Sequence, residues 1–169
     1  MKRASIVLAL AVTVAGIAAP TAWAGTVSFD DEVGDTGSRS DIRRVVVEHV
    51  HTADRLRVVT RLSKVVYGAE LAIYIDSRRR NAGPEWKISA YADSEWALLR
   101  VDGWRDDGIP GPTCGRVSYS MDTDRPVAKA TVPASCIRLH RDVRVSVLVR
   151  DVGHGRDWAP DTRRFLPAA

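Results

Sequence analysis

Helical periodicity is missing from this 169-residue chain. Beyond its first 24 residues no stretch of ten or more carries a convincing 3.6-residue apolar repeat, which excludes helix bundles and helix-covered parallel sheets. Catalytic signatures are missing too. There is no Gly-x-Ser-x-Gly elbow, no His-Glu-x-x-His helix and no glycine-rich phosphate cradle, so the enzymes that carry those motifs find no support. Aromatic residues make up only 7% of the chain, and cysteines number two. Two thiols cannot build a structural zinc site, which needs four ligands. Charge of one sign is scarce as well, with 25 Lys and Arg against 21 Asp and Glu. The densest basic run, Arg78-Arg79-Arg80, reads as a solvated turn, not the one-sided patch of a nucleic-acid binder.

What is present begins with an address. Lys2 and Arg3 precede an uncharged apolar run from Ile6 to Ala19, and Ala22-Trp23-Ala24 follows it. That layout is a secretory signal peptide over residues 1–24, cleaved after Ala24. The run is shorter than the roughly 20 apolar residues of a membrane span. A single domain over residues 25–169 is then expected to work as a secreted, extracellular protein with no membrane span. Loss of Lys2 and Arg3 lowers the basic residues from 25 to 23 against 21 acidic ones, a net charge of +2. Outside the cytoplasm thiols pair, so Cys114 and Cys136 are expected to form a disulfide. It would close a loop of about 22 residues and contribute about 3 kcal/mol.

Period-two alternation runs through the rest. In Arg55–Leu62, Leu56, Val58, Thr60 and Leu62 share one face, with Arg55, Arg57 and Arg61 on the other. Glu70–Asp76 and Val143–Arg150 alternate in the same way. Further strands are expected at Thr26–Phe29, Ile42–Val50, Glu85–Tyr91, Glu95–Val101, Arg116–Met121 and Val127–Val132. Ile42–Val50 changes phase near Val45-Val46-Val47, through a bulge or because both faces are covered. One helical turn is expected around Ala134–Leu139, started by Pro133. About nine strands punctuated by turns predict an all-β fold, an antiparallel two-sheet β-sandwich of jelly-roll-like type.

Several phrases resemble a known pattern. They are Phe29-Asp30-Asp31-Glu32-Val33-Gly34-Asp35, Ser40-Asp41-Ile42, Leu71-Ala72-Ile73-Tyr74-Ile75-Asp76 and Gly83-Pro84-Glu85-Trp86. Their order is similar to small secreted actinobacterial β-sandwich proteins of the DOMON-like and family 9 carbohydrate-binding kind. That resemblance implies a two-sheet jelly roll, ligand binding and, in some members, bound calcium.

Candidate sites follow from residue chemistry. Asp31, Asp35 and Asp41 lie in an acidic stretch around Gly34. Calcium takes six to eight oxygens on a loop able to wrap it, so these three are the metal candidates; the competing role is turn capping. Asp76 is expected to serve its turn or pair with an arginine, and Asp122 and Asp124 to serve a hairpin turn. His49 and His51, two apart on a strand, offer a weaker nitrogen pair for zinc or copper. Sugar modules stack pyranose faces on exposed indoles. Trp104 and Trp158 stand beside loops and are the ligand candidates, whereas Trp86 and Trp96 sit within strands. Asp106-Asp107 and Asp93 with Glu95 are the carboxylate pairs a small hydrolase would need. The expected function is a secreted, non-enzymatic binding module for an extracellular glycan or protein, with a structural calcium and no catalytic residues. The alternative is a secreted structural or interaction protein with no small-molecule site.

Overall fold

The computed structural model describes residues 24–166 apart from 33, 79, 93–94, 140–141 and 162. Of the segment expected to be a signal peptide, residues 1–23 lie outside the described residues, and Ala24, its expected last residue, opens the first strand. Eleven strands follow one another: β1 (Ala24–Asp30), β2 (Ile42–Val50), β3 (Arg55–Leu62), β4 (Glu70–Asp76), β5 (Trp86–Tyr91), β6 (Trp96–Arg100), β7 (Ile109–Pro110), β8 (Ser118–Asp122), β9 (Val127–Val132), β10 (Arg144–Asp151) and β11 (Gly155–Ala159). All nine expected strands form; β7 and β11 are additional. The strands make two antiparallel sheets, one in the order β1-β2-β3-β9-β8 and one in the order β11-β10-β4-β5-β6-β7. The expected β-sandwich is the fold.

The alternation explains which side of each strand is dry. Leu56, Val58, Thr60 and Leu62 of β3 are all buried, and Arg55 and Arg61 are exposed. In the five-stranded sheet Val45 and Val47 of β2 and Ala128, Ala130 and Val132 of β9 join them. In the six-stranded sheet Leu71, Ile73, Ile75, Ile88, Val145, Val147 and Val149 face back. The fully buried part of this core is aliphatic; Phe29, Trp86 and Tyr119 pack at its margin. Strands β4 and β10 are buried on both sides, because the outer face of their sheet carries a second cluster of Ala72, Tyr74 and Leu148 under Trp104 and Trp158.

Three local expectations are corrected. The bulge in β2 lies between Ile42 and Arg44, ahead of the valines. Ala134–Leu139 forms successive turns instead of a helical turn. The Asp54 carboxylate takes both the N–H and the hydroxyl of Ser135 at 2.6 Å, and Arg138 adopts a left-handed φ of 53° that ends any helical run. His49 and His51 do not share a strand face: β2 stops at Val50, and His51 opens a 3-10 turn over His51–Ala53.

Cys114 and Cys136 are disulfide-bonded, with Cα atoms 6.2 Å apart. The bridge ties the segment entering β8 to the turn leaving β9. A Cys114→Ser/Cys136→Ser double variant is expected to lose about 3 kcal/mol, a fall of roughly 10 °C in the midpoint of a thermal melt. A melt unchanged by the double substitution contradicts this account.

Candidate metal centre and aromatic face

The loop between β1 and β2 has few apolar residues, so polar bonds hold it. Asp31 donates its N–H to the Arg43 carbonyl at 3.0 Å. Gly34, at φ +86°, turns the chain as only glycine does freely, and gives its N–H to Asp41 Oδ2 at 2.6 Å. The hairpin of β10 and β11 holds the rest of the loop from the other sheet. Asp151 Oδ2 accepts the Ser38 hydroxyl at 3.0 Å and the N–H groups of Arg39 and Ser40 at 2.5 and 2.8 Å. Asp157 Oδ2 accepts the Ile42 N–H at 2.6 Å. A Cβ on Gly155 would meet the Gly37 carbonyl carbon at 3.3 Å, so loop and hairpin are in backbone contact there.

These bonds use one oxygen of each carboxylate. Asp41 and Asp157 are 4% and 1% exposed. Their other oxygens, and Oδ2 of Asp31, are buried with no hydrogen-bond partner. Ligand atoms of Asp35, Asp41 and Asp157 lie within 4.8 Å of one another. The sequence reading named Asp31, Asp35 and Asp41. The structure brings Asp35 and Asp41 together and adds Asp157, more than a hundred residues away on a strand the alternation did not show. Asp31 stands beside them electrostatically. Burial, then the charges of Asp157, Asp35 and Asp41, push its carboxyl up to about 7. Burial also pushes Asp157 up to about 6; the Ile42 N–H opposes this, and the Asp41 and Asp35 charges, with the closeness of the Asp41 carboxyl that would share a proton with it, add to it. At an effective dielectric near 20, two carboxylates about 5 Å apart repel by about 3 kcal/mol.

An all-carboxylate set with no thiolate or imidazole suits a hard cation. Oxygens bound to one calcium ion at 2.3–2.6 Å are at most about 5 Å apart. The spacing of Asp35, Asp41 and Asp157 is therefore within what one calcium ion can bridge, with Asp31 as a neighbouring charge outside that close set.

The outer face of the six-stranded sheet holds the aromatics. Trp158 of β11 stacks on Tyr74 of β4, with ring centroids 5.6 Å apart and planes at 20°. Trp104 meets the edge of Trp158 at 5.8 Å and Phe165 at 4.7 Å. Trp104 and Trp158 are both half-buried. Trp104 lines an open cleft of about 280 Å³ with Asp102, Gly103, Arg105, Asp106 and Arg163. Trp158 supports that ring from behind. Trp96, expected inside its strand, is the most exposed of the four indoles in the sandwich, at 37%, and reaches Tyr119 at the open edge.

The remaining candidates serve structure. Asp76 does both things expected of it: Oδ1 accepts the Arg78 N–H at 2.9 Å, and Oδ2 binds the Arg144 guanidinium. Asp122 Oδ1 accepts the N–H groups of Asp124 and Arg125. Asp106 bonds the N–H groups of Asp102 and Gly108, which makes it a turn cap. Asp93 lies outside the described residues. Among the described residues no helix is long and apolar enough to cross a membrane. Comparison with known proteins gives no match: no family model fits the chain, and no curated protein or solved structure is significantly similar to it.

The raised carboxyls set the pH response of the metal-free protein. An unfolded aspartate titrates near 3.8, whereas folded Asp157 and Asp31 titrate at about 6 and about 7. Between those values the folded state holds more protons, so stability falls as pH rises from about 4 to about 7 and then levels. Asp151, whose hydrogen bonds from residues 38–40 outweigh its burial and hold it below 3.8, acts only at lower pH. Metal-free protein is therefore expected to melt several degrees higher at pH 5 than at pH 8. A midpoint that climbs from pH 5 to pH 8 in chelator contradicts the assignment.

Proposed function

We propose that this protein is an exported, non-enzymatic β-sandwich binding module. Its acidic loop closes around a calcium ion held by Asp35, Asp41 and Asp157 beside Asp31, and its ligand, an extracellular glycan, meets the Trp104 cleft. One observation carries the ion: buried Asp41 and Asp157 each keep an oxygen without a partner, beside a third carboxylate at 4.8 Å or less. Carboxylates crowded together in a buried place need a proton or a cation, and at neutral pH one cation satisfies Asp35, Asp41 and Asp157 at once. The disulfide agrees with an oxidising compartment, as does the signal-like start of the chain. The glycan assignment rests on an indole edged by carboxylates and guanidiniums, the pairing of apolar face and polar donors that sugars use.

Calcium is expected to raise the melting midpoint over that in chelator, by a stabilisation of about 2.7 kcal/mol at a hundred times the dissociation constant. Asp157→Asn keeps an acceptor for Ile42 but removes one charge. It is expected to hold or raise the metal-free midpoint and to lose most of the calcium-dependent shift. An unchanged melt in calcium removes the ion from this reading.

A second reading has its own support. Trp158 gives its ring to Tyr74 and Trp104, as in a structural or interaction protein with no small-molecule site. On a glycan array, wild type is expected to retain a glycan that Trp104→Ala loses. No retained glycan on either protein selects the second reading.

A further inference from the structure

Asp157 and Trp158 are consecutive residues of β11, so their side chains leave opposite faces of the sheet. Asp157 points between the sheets and carries one of the unpartnered oxygens at the acidic site. Trp158 points out, stacked on Tyr74 and against the edge of Trp104. The strand between them is an edge strand, paired only with β10. Three of the four acidic groups belong to the segment joining β1 to β2 in the five-stranded sheet; the fourth rides on β11 in the other sheet. Repulsion among them acts across the seam between sheets, and β11 meets it as an edge strand paired with β10 at five positions. An ion at the centre reverses the sign of that force. Asp151 and the Gly37–Gly155 contact hold the near end of the hairpin. Asp157 and Trp158 therefore lie on the one short strand that reaches both the acidic seam and the aromatic face.

The geometry points to β11 as a coupling strand: calcium at the acidic site draws Asp157 inward, and Trp158 thereby locks the ring cluster behind the Trp104 cleft. This rests on the calcium reading and goes beyond it, because it makes the ion an effector of the opposite face of the sheet. Coupling of this kind is reciprocal. Whatever rigidifies the rings, a bound ligand at Trp104 included, tightens calcium binding by the same factor.

The test uses the purified chain stripped with chelator, then titrated with calcium. Binding is read by calorimetry and ring packing by near-ultraviolet circular dichroism. The dichroism of the coupled rings is expected to change with the same midpoint as the isotherm. Trp158→Phe is expected to bind calcium with a weakened isotherm and to lose the spectral change, whereas Trp86→Phe, in the other face of the sheet, keeps both. Hydrogen exchange on wild type gives a reading free of substitutions: the amides of residues 155–159 are expected to be protected at least tenfold more with calcium. A normal isotherm with unchanged dichroism and unchanged exchange overturns the coupling and leaves the ion in place. The same spectral change surviving in Trp158→Phe also overturns it. An absent isotherm overturns the calcium reading itself and the coupling with it.

Discussion

A buried carboxylate cannot stand alone, and two of them at the seam between the sheets govern how this molecule closes. Asp41 and Asp157 are retained there because backbone needs them. Gly34 and Ile42 have N–H groups that no strand partner takes, and the two aspartates accept those bonds. Replacing either carboxylate with an apolar side chain would strand a donor, at a cost of about 1–3 kcal/mol. Keeping both leaves like charges in a poorly solvated place. Packing the loop that joins β1 to β2 on the β10–β11 hairpin therefore carries a repulsion that a neutralising group would relieve.

The distribution of the scarce aromatics follows from a related constraint. The space between the sheets is filled by Val, Ile, Leu and Ala, whose branched side chains fit the pleat. The large rings are placed on the outer face of the six-stranded sheet, where Tyr74 is buried under Trp104 and Trp158. That second layer explains why β4 and β10 are dry on both sides. It also gives the chain after β11 a place to dock. Phe165 packs on Trp104 and under the Arg144 guanidinium, while Leu166 donates its N–H to Val145 at 2.7 Å and enters the main core.

What could be read from sequence follows from which faces are wet. β3 alternates because its outer face meets water, and its apolar residues were legible one by one. β11 was invisible. Its inward positions are Gly155, Asp157 and Ala159, and an inward aspartate cancels the apolar signal that marks a strand. The acidic loop was legible because Asp31, Asp35 and Asp41 crowd a few positions. The residue that completes the cluster was not, since only the fold brings Asp157 to them. Trp104 and Trp158 were recognisable as belonging to loops or ends, but their mutual contact depends on the register that sets Trp158 opposite Leu148. Trp96 misled because it sits at the sandwich margin, where contact with Tyr119 of β8 leaves 37% of it exposed.

The choice of neutralising group is itself a matter of geometry. An arginine would supply one charge and bind one or two of the carboxylates, but its planar fork is not suited to three carboxylates within 4.8 Å of one another. Protons would neutralise the carboxyls one at a time, and each shared proton would weaken the bonds to Gly34 and Ile42 by making the acceptor neutral. A divalent cation with a large, flexible oxygen shell would keep every carboxylate charged, so the backbone bonds would retain their strength, and would leave room for water on the exposed Asp35 side. The same feature that makes the metal-free seam costly, carboxylates contributed by both sheets, is what would let one ion tie the sheets together there.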